Sequence, residues 1–107
     1  MNELKAEVFY NDEPVGILSR HDDKYYFKYN DAYLSDKTKP AISLSLPKEQ
    51  AQFVSEYLFP FFFGLLAEGD NKELQCRILK IDENDNFTRL IRTAVNDTIG
   101  GISVREL

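Results

Sequence analysis

The run Leu58-Phe59-Pro60-Phe61-Phe62-Phe63-Gly64-Leu65-Leu66-Ala67-Glu68-Gly69 concentrates the apolar mass of the chain. Four of the eight phenylalanines fall within five positions, at 59, 61, 62 and 63, and Leu65 and Leu66 follow. Burying one such side chain is worth roughly 1.5–3 kcal/mol, so a small protein can hardly leave the cluster in water. Pro60 suits the first turn of a helix, where its missing N–H costs nothing. Glu68-Gly69-Asp70 reads as a stop and a turn. The spacing predicts a short, very hydrophobic helix as the central element. At about 100° per residue, Phe61, Phe62 and Phe63 span about 200° of its circumference, wider than one buried stripe. Either all four rings are core, or at least one lies near the surface, where an exposed apolar patch usually signals a partner.

On the N-terminal side the pattern has the period of strands. Leu4, Ala6, Val8 and Tyr10 alternate with Lys5, Glu7 and Phe9, as in a half-buried strand. Asn11-Asp12-Glu13-Pro14 supplies turn residues, Val15 to Ser19 a second strand, and His21-Asp22-Asp23 the next turn. Tyr25, Phe27 and Tyr29 form an aromatic third strand. Short connections make an antiparallel meander the simplest topology. Ile42, Leu44 and Leu46 alternate with Ser43 and Ser45, which predicts a fourth strand closed by Pro47. Lys48 to Tyr57 reads as loop or short strand.

On the C-terminal side, Leu74, Ile78 and Leu79 predict a helix over 71–80. Phe87, Leu90, Ile91, Ala94 and Val95 form the stripe of an amphipathic helix, with Asn84 or Asp85 as N-cap and Asn96-Asp97 as its end. Gly100-Gly101 turns the chain, and Ile102 to Arg105 returns as a last strand. Strands first and helices second predict an α+β fold: a small antiparallel sheet packed with about three short C-terminal helices, all in one domain spanning 1–107.

Thirteen basic against eighteen acidic residues give a net charge of −5, which argues against direct contact with nucleic acid or an anionic membrane. One cysteine, Cys76, excludes an internal disulfide and suits a reducing compartment. With no signal-peptide pattern and no apolar run near the ~18 residues of a span, a cytoplasmic location is expected.

Nothing in the chain predicts an enzyme. His21, the only histidine, lies in a turn and reads as solvated, and one His with one Cys supports neither a zinc site nor a nucleophile pair. Cys76 reads as a small buried hydrophobe. Asp82-Glu83-Asn84-Asp85-Asn86 looks like a calcium loop, but Phe87 would take its glycine position and Thr93 its bidentate glutamate position. Gly100-Gly101 lacks the Lys-Ser/Thr of a phosphate loop. No cofactor or metal is expected.

The motifs Ser43-Leu44-Ser45-Leu46-Pro47, Pro60-Phe61-Phe62 with Leu65-Leu66-Ala67-Glu68-Gly69, and Asp97 with Gly100-Gly101 resemble the N-terminal subdomain of HipA-type toxin kinases, in order and spacing over essentially the whole chain. The family pattern is a Ser-Leu-Ser-Leu-Pro strand, a Pro-Phe-Phe helix ending in Leu-Leu-Pro-Glu-Gly, and a terminal Asp-x-x-Gly-Ala turn. Ala67 departs from its proline, and Phe63 stands where a polar residue is common. In such kinases the ATP loop and catalytic aspartates lie beyond this subdomain. As a free-standing product the chain is similar to HipS-like antitoxins of tripartite HipB–HipS–HipT systems. The resemblance implies a non-enzymatic antitoxin that binds and inhibits a HipT-like serine/threonine kinase, with a HipB-like protein doing the DNA binding. The partner surface is expected at Phe59, Phe63, Glu68, Gly69 and Asp70, and the departure at Phe63 singles that ring out for docking near the kinase active site. The alternative it leaves is a non-inhibitory structural fragment of a split HipA-type kinase.

Overall fold

The computed structural model describes residues 4–66, 69–94 and 101–107. Three strands open it: β1 (Leu4–Tyr10), β2 (Glu13–His21) and β3 (Lys24–Tyr29). The two connections are two-residue turns in which Asn11, Asp12, Asp22 and Asp23 all take positive φ, at 49°, 65°, 52° and 64°. Asn and Asp tolerate that conformation, and the resulting turn twist matches that of the flanking strands. The meander predicted from the alternation is therefore present, with β2 longer at both ends than its apolar run suggests.

The fourth strand is not where the sequence places it. Residues 42–46 form turns, with Leu44 wholly exposed and Leu46 buried. Ser43 Oγ accepts from the Ser45 amide at 3.2 Å and lies 3.0 Å from Ser45 Oγ, closing a local turn that competes with extended structure. The buried Tyr29 hydroxyl then donates to the Leu46 carbonyl and accepts from the Ile42 amide at 3.2 Å. β4 is instead Gln52–Ser55, within the segment read as loop or short strand, and pairs antiparallel with β3 from Tyr25↔Ser55 to Lys28↔Gln52. A short helix unseen in the sequence, α1 (Asp31–Ser35), follows β3 and buries Tyr33.

β5 (Ile102–Glu106) pairs antiparallel with β1, so the sheet order is β4-β3-β2-β1-β5. Ala6, Val8, Leu18, Phe27, Tyr29 and Val104 share its inner face and are fully buried. Gly16 lies opposite Val8 and Tyr29, where a Cβ would run into the Lys28 carbonyl oxygen and stand 3.0 Å from Tyr29 Cα. The inner face is covered by Leu46, by the Phe-rich turn α2 (Pro60–Phe63) and by α4 (Asn86–Thr93). α2 is only four residues long, with Pro60 in its first turn as predicted.

α3 (Gly69–Leu79) lies between these two helices in sequence. Its predicted stripe is corrected: Leu74 and Ile78 are exposed, at 52% and 66%, and the buried residue is Cys76. α4 buries Phe87, Leu90 and Ile91 as its spacing requires, and Asp85 is its N-cap. It ends at Thr93, ahead of the Asn96-Asp97 stop read from the sequence, and Ala94 hands on to β5 by accepting the Val104 amide at 2.7 Å. Val95, Asn96, Asp97 and Gly100 lie outside the described residues, while Gly101 takes φ 79° and its carbonyl accepts from the Asn11 amide at 2.9 Å. The class is α+β. Among the described residues no helix is long and apolar enough to cross a membrane.

Candidate functional site

The Phe-rich turn divides its rings between the inside and the outside. The Phe59 carbonyl accepts from the amides of Phe62 and Phe63, at 2.9 and 3.0 Å, and the Pro60 carbonyl from that of Gly64 at 2.9 Å. Phe59 and Phe62, three residues apart, point the same way and are 7% and 0% exposed. Phe62 packs on Phe27 at 5.6 Å and edge-on to Phe59 at 6.4 Å between ring centroids. Phe61 is half-buried, beside Tyr10, Tyr33 and Pro40. Phe63, one step further around the turn, is 45% exposed.

Phe63 forms one wall of a groove of about 300 Å³. The end of the β2–β3 hairpin contributes Arg20, Asp23 and Tyr25, the segment after β4 contributes Glu56, Tyr57 and Leu58, and the first residue of α4 contributes Asn86. Tyr57 is 79% exposed, and its amide is held by Ser55 Oγ at 3.1 Å. Three aromatic rings and two carboxylates thus face one concavity.

The cation that lines the groove is already engaged. Arg20 Nη1 donates to Asp85 Oδ1 at 3.2 Å, and its guanidinium lies over the Phe87 ring at 5.6 Å. Asp85 also accepts from the Thr88 amide at 3.1 Å and the Thr88 hydroxyl at 2.8 Å, which caps α4. Burial alone would raise the Asp85 pKa, but the Thr88 bonds and the Arg20 charge outweigh it and hold the carboxyl below its usual value. Arg20 is therefore part of the scaffold, and Asp23 and Glu56 make no ion pair among the described residues.

Of the residues the sequence marks for a partner, Phe63, Gly69 and Asp70 are exposed; Phe59 is spent in the core, and Glu68 lies outside the described residues. Gly69 opens α3 at φ 63° with nothing within 4 Å of where a Cβ would stand. Tyr57, Tyr25, Glu56 and Asp23 were missed. The available signal was Tyr57, a large ring in the polar run Ser55-Glu56-Tyr57 just ahead of the phenylalanines.

Neither His21 nor Cys76 lines the groove. His21 is half-exposed with Nε2 3.1 Å from Asp22 Oδ2, and Cys76 is buried. Among the described residues no three His, Cys, Asp or Glu side chains stand close enough to hold a metal ion.

A family model described as the HipA N-terminal domain matches residues 6–105. An uncharacterized protein of Haemophilus influenzae is 34% identical over 101 residues, covering 94% of this chain and 91% of that protein. A protein of Sinorhizobium fredii named putative kinase Y4mE is 32% identical over 99 residues, 91% of this chain but 23% of that protein. The chain thus spans about a quarter of that relative. A solved structure titled N-terminal domain of HipA toxin superposes with a TM-score of 0.73 at 29% identity, covering 97% of this chain and 92% of that one.

Proposed function

The chain belongs to the HipA N-terminal domain family, and on that footing we propose that it is the antitoxin of a toxin–antitoxin system, binding and inhibiting a HipT-like serine/threonine kinase. It does no chemistry of its own in this reading. It acts in the cytoplasm, and a HipB-like protein in the same complex contacts the DNA. The observation that carries the reading is Phe63: a large ring held half out of the core by a turn whose neighbours are locked inside it. A preset ring of this kind loses little conformational entropy on docking, which is what an anchor residue needs. In this proposal Phe63 and Tyr57 meet the kinase beside its active site, with Gly69 and Asp70 on the rim.

The second reading, a structural part of a split kinase without inhibitory action, is favoured by Y4mE, in which the matching region is 23% of a longer protein. Co-expression with the kinase encoded alongside decides between them, scoring growth and co-purification together. Rescue of growth with a stable complex supports the antitoxin. A stable complex without rescue supports the structural part, and the absence of any complex refutes both. Phe63→Ala should abolish rescue while the chain stays folded.

A further inference from the structure

We propose that the Tyr57–Phe63 groove is a receptor for an arginine side chain presented by the protein partner. The proposal rests on the reading above for the source of that arginine, but the chemistry of the groove stands by itself. Tyr25, Tyr57 and Phe63 offer ring surface around a space of about 300 Å³, and Asp23 and Glu56 stand at the same concavity. Aromatic faces attract cations through their negative centres, and a planar guanidinium both stacks on a ring and forks onto a carboxylate. The two carboxylates have no ion-pair partner among the described residues, and the nearby cation, Arg20, is offset by Asp85 at 3.2 Å. Of the three charged side chains that line the groove, Asp23 and Glu56 are acidic and Arg20 is offset by Asp85, so the unpaired charge at the concavity is negative and complementary to a cationic insert.

The protein already holds guanidinium groups in this way, one of them at the edge of the groove itself. Arg20 lies over Phe87 at 5.6 Å with Asp85 beside it, and Arg105 lies over Phe9 at 4.5 Å with Asp12 at 3.4 Å. Beside the pairing that Arg20 takes, the groove offers further ring and carboxylate partners, Tyr25, Tyr57 and Phe63 with Asp23 and Glu56. Phe63 then has two roles at one contact: it enters the partner's surface, and it forms a wall against which the partner's arginine lies.

The test is an NMR titration of the full chain with N-acetyl-arginine methylamide, against the citrulline analogue of the same shape without the charge. Saturable amide shifts confined to Tyr25, Glu56, Tyr57 and Phe63, seen only with the arginine compound, are expected. The double variant Asp23→Asn, Glu56→Gln should weaken that response by roughly fivefold, the scale of an exposed ion pair. Asn at 23 keeps the turn, because it accepts positive φ as readily as Asp. Glu73→Gln on α3 should leave the response unchanged. No saturable response, an equal response to the citrulline compound, or an undiminished response in the double variant overturns the proposal. Arginine binding by a chain that captures no kinase would refute the antitoxin reading alone, and kinase capture without arginine binding would refute the groove alone.

Discussion

Phe62 and Phe63 are neighbours in sequence with opposite duties, and truncating each in turn separates fold from function. Phe62 is fully buried, with the rings of Phe61, Phe27 and Phe59 at 5.2, 5.6 and 6.4 Å. Truncation to alanine removes the ring and leaves a cavity among three others, at a cost of about 3–5 kcal/mol. A protein of this size has about 5–15 kcal/mol in total, so Phe62→Ala should stand at the edge of folding. Phe63 is 45% exposed and keeps about half the burial of a core ring, so Phe63→Ala should cost about 1 kcal/mol. Urea unfolding followed by circular dichroism reads the difference. At a slope of about 1.5 kcal/mol per molar, the midpoint should fall by about 2–3 M for Phe62→Ala and by less than about 1 M for Phe63→Ala. Kinase capture should be lost in the second variant although it is folded. Equal losses of stability in the two variants would show that Phe63 is core as well, and would refute the assignment of its ring to a partner.

Three further outcomes follow from the packing. Gly16→Ala should destabilise by about 1–3 kcal/mol in the same urea assay, because the new methyl meets the Lys28 carbonyl and the Tyr29 backbone, which cannot swing aside. Tyr29→Phe should cost about 1–3 kcal/mol by leaving the Leu46 carbonyl without its donor. Burial raises the pKa of Tyr29 despite the bond from the Ile42 amide, and burial followed by the neighbouring tyrosines raises that of Tyr33. Their contribution is complete below the unfolded value near pH 10 and is lost as pH rises through the folded values; alkaline unfolding should be shallower in Tyr29→Phe. Asp85→Ala removes the cap of α4 at a cost of about 0.5–2 kcal/mol. Because the Asp85 pKa is lowered on folding, the gap between variant and wild type should be complete above about pH 4 and close as pH falls through the folded value.

Elements whose burial follows one period were legible in the sequence. β1 and β3 alternate because one face of the sheet is packed and the other is not, and α4 shows its stripe because Phe87, Leu90, Ile91 and Ala94 all meet the core. The run Ile42 to Leu46 alternates just as well and is not a strand. Its alternation records Leu46 turned inward and Leu44 turned out around a serine-closed turn, held by a hydroxyl that comes from β3, thirteen residues before Ile42. Sequence period cannot distinguish a strand from a turn pinned at a distance. β4 gave no signal because Gln52 and Val54 are exposed and Phe53 and Ser55 half-buried, so no residue in it is fully covered. On α3, Leu74 and Ile78 obey helical spacing while the helix buries Cys76 on another side; spacing finds the helix but does not choose its face. The candidate site was legible in part. A ring near the surface followed from the circumference of α2, whereas Tyr25, Asp23 and Glu56 join it only through the pairing of β3 with β4.

The position of Phe63 is set from within. The buried rings of Phe62 in α2 and of Phe59 just ahead of it fix the rotation of the turn about its own axis, and Pro60 fixes its entry. Phe61 and Phe63 are then carried to opposite sides, one toward Tyr33 and Pro40, the other into the groove. The facing wall has the same origin: Tyr25 stands on β3 two residues from Phe27, and Phe27 is the ring on which Phe62 packs. The two sides of the groove therefore share one buried contact, Phe27 against Phe62, and their separation is a property of the core. The walls formed by Tyr25 and Phe63 are thus set through the core, which lowers the ordering cost that opposes association. It also follows that a change of volume at Phe27, far from solvent, alters the width of the groove without touching any residue that a partner would meet.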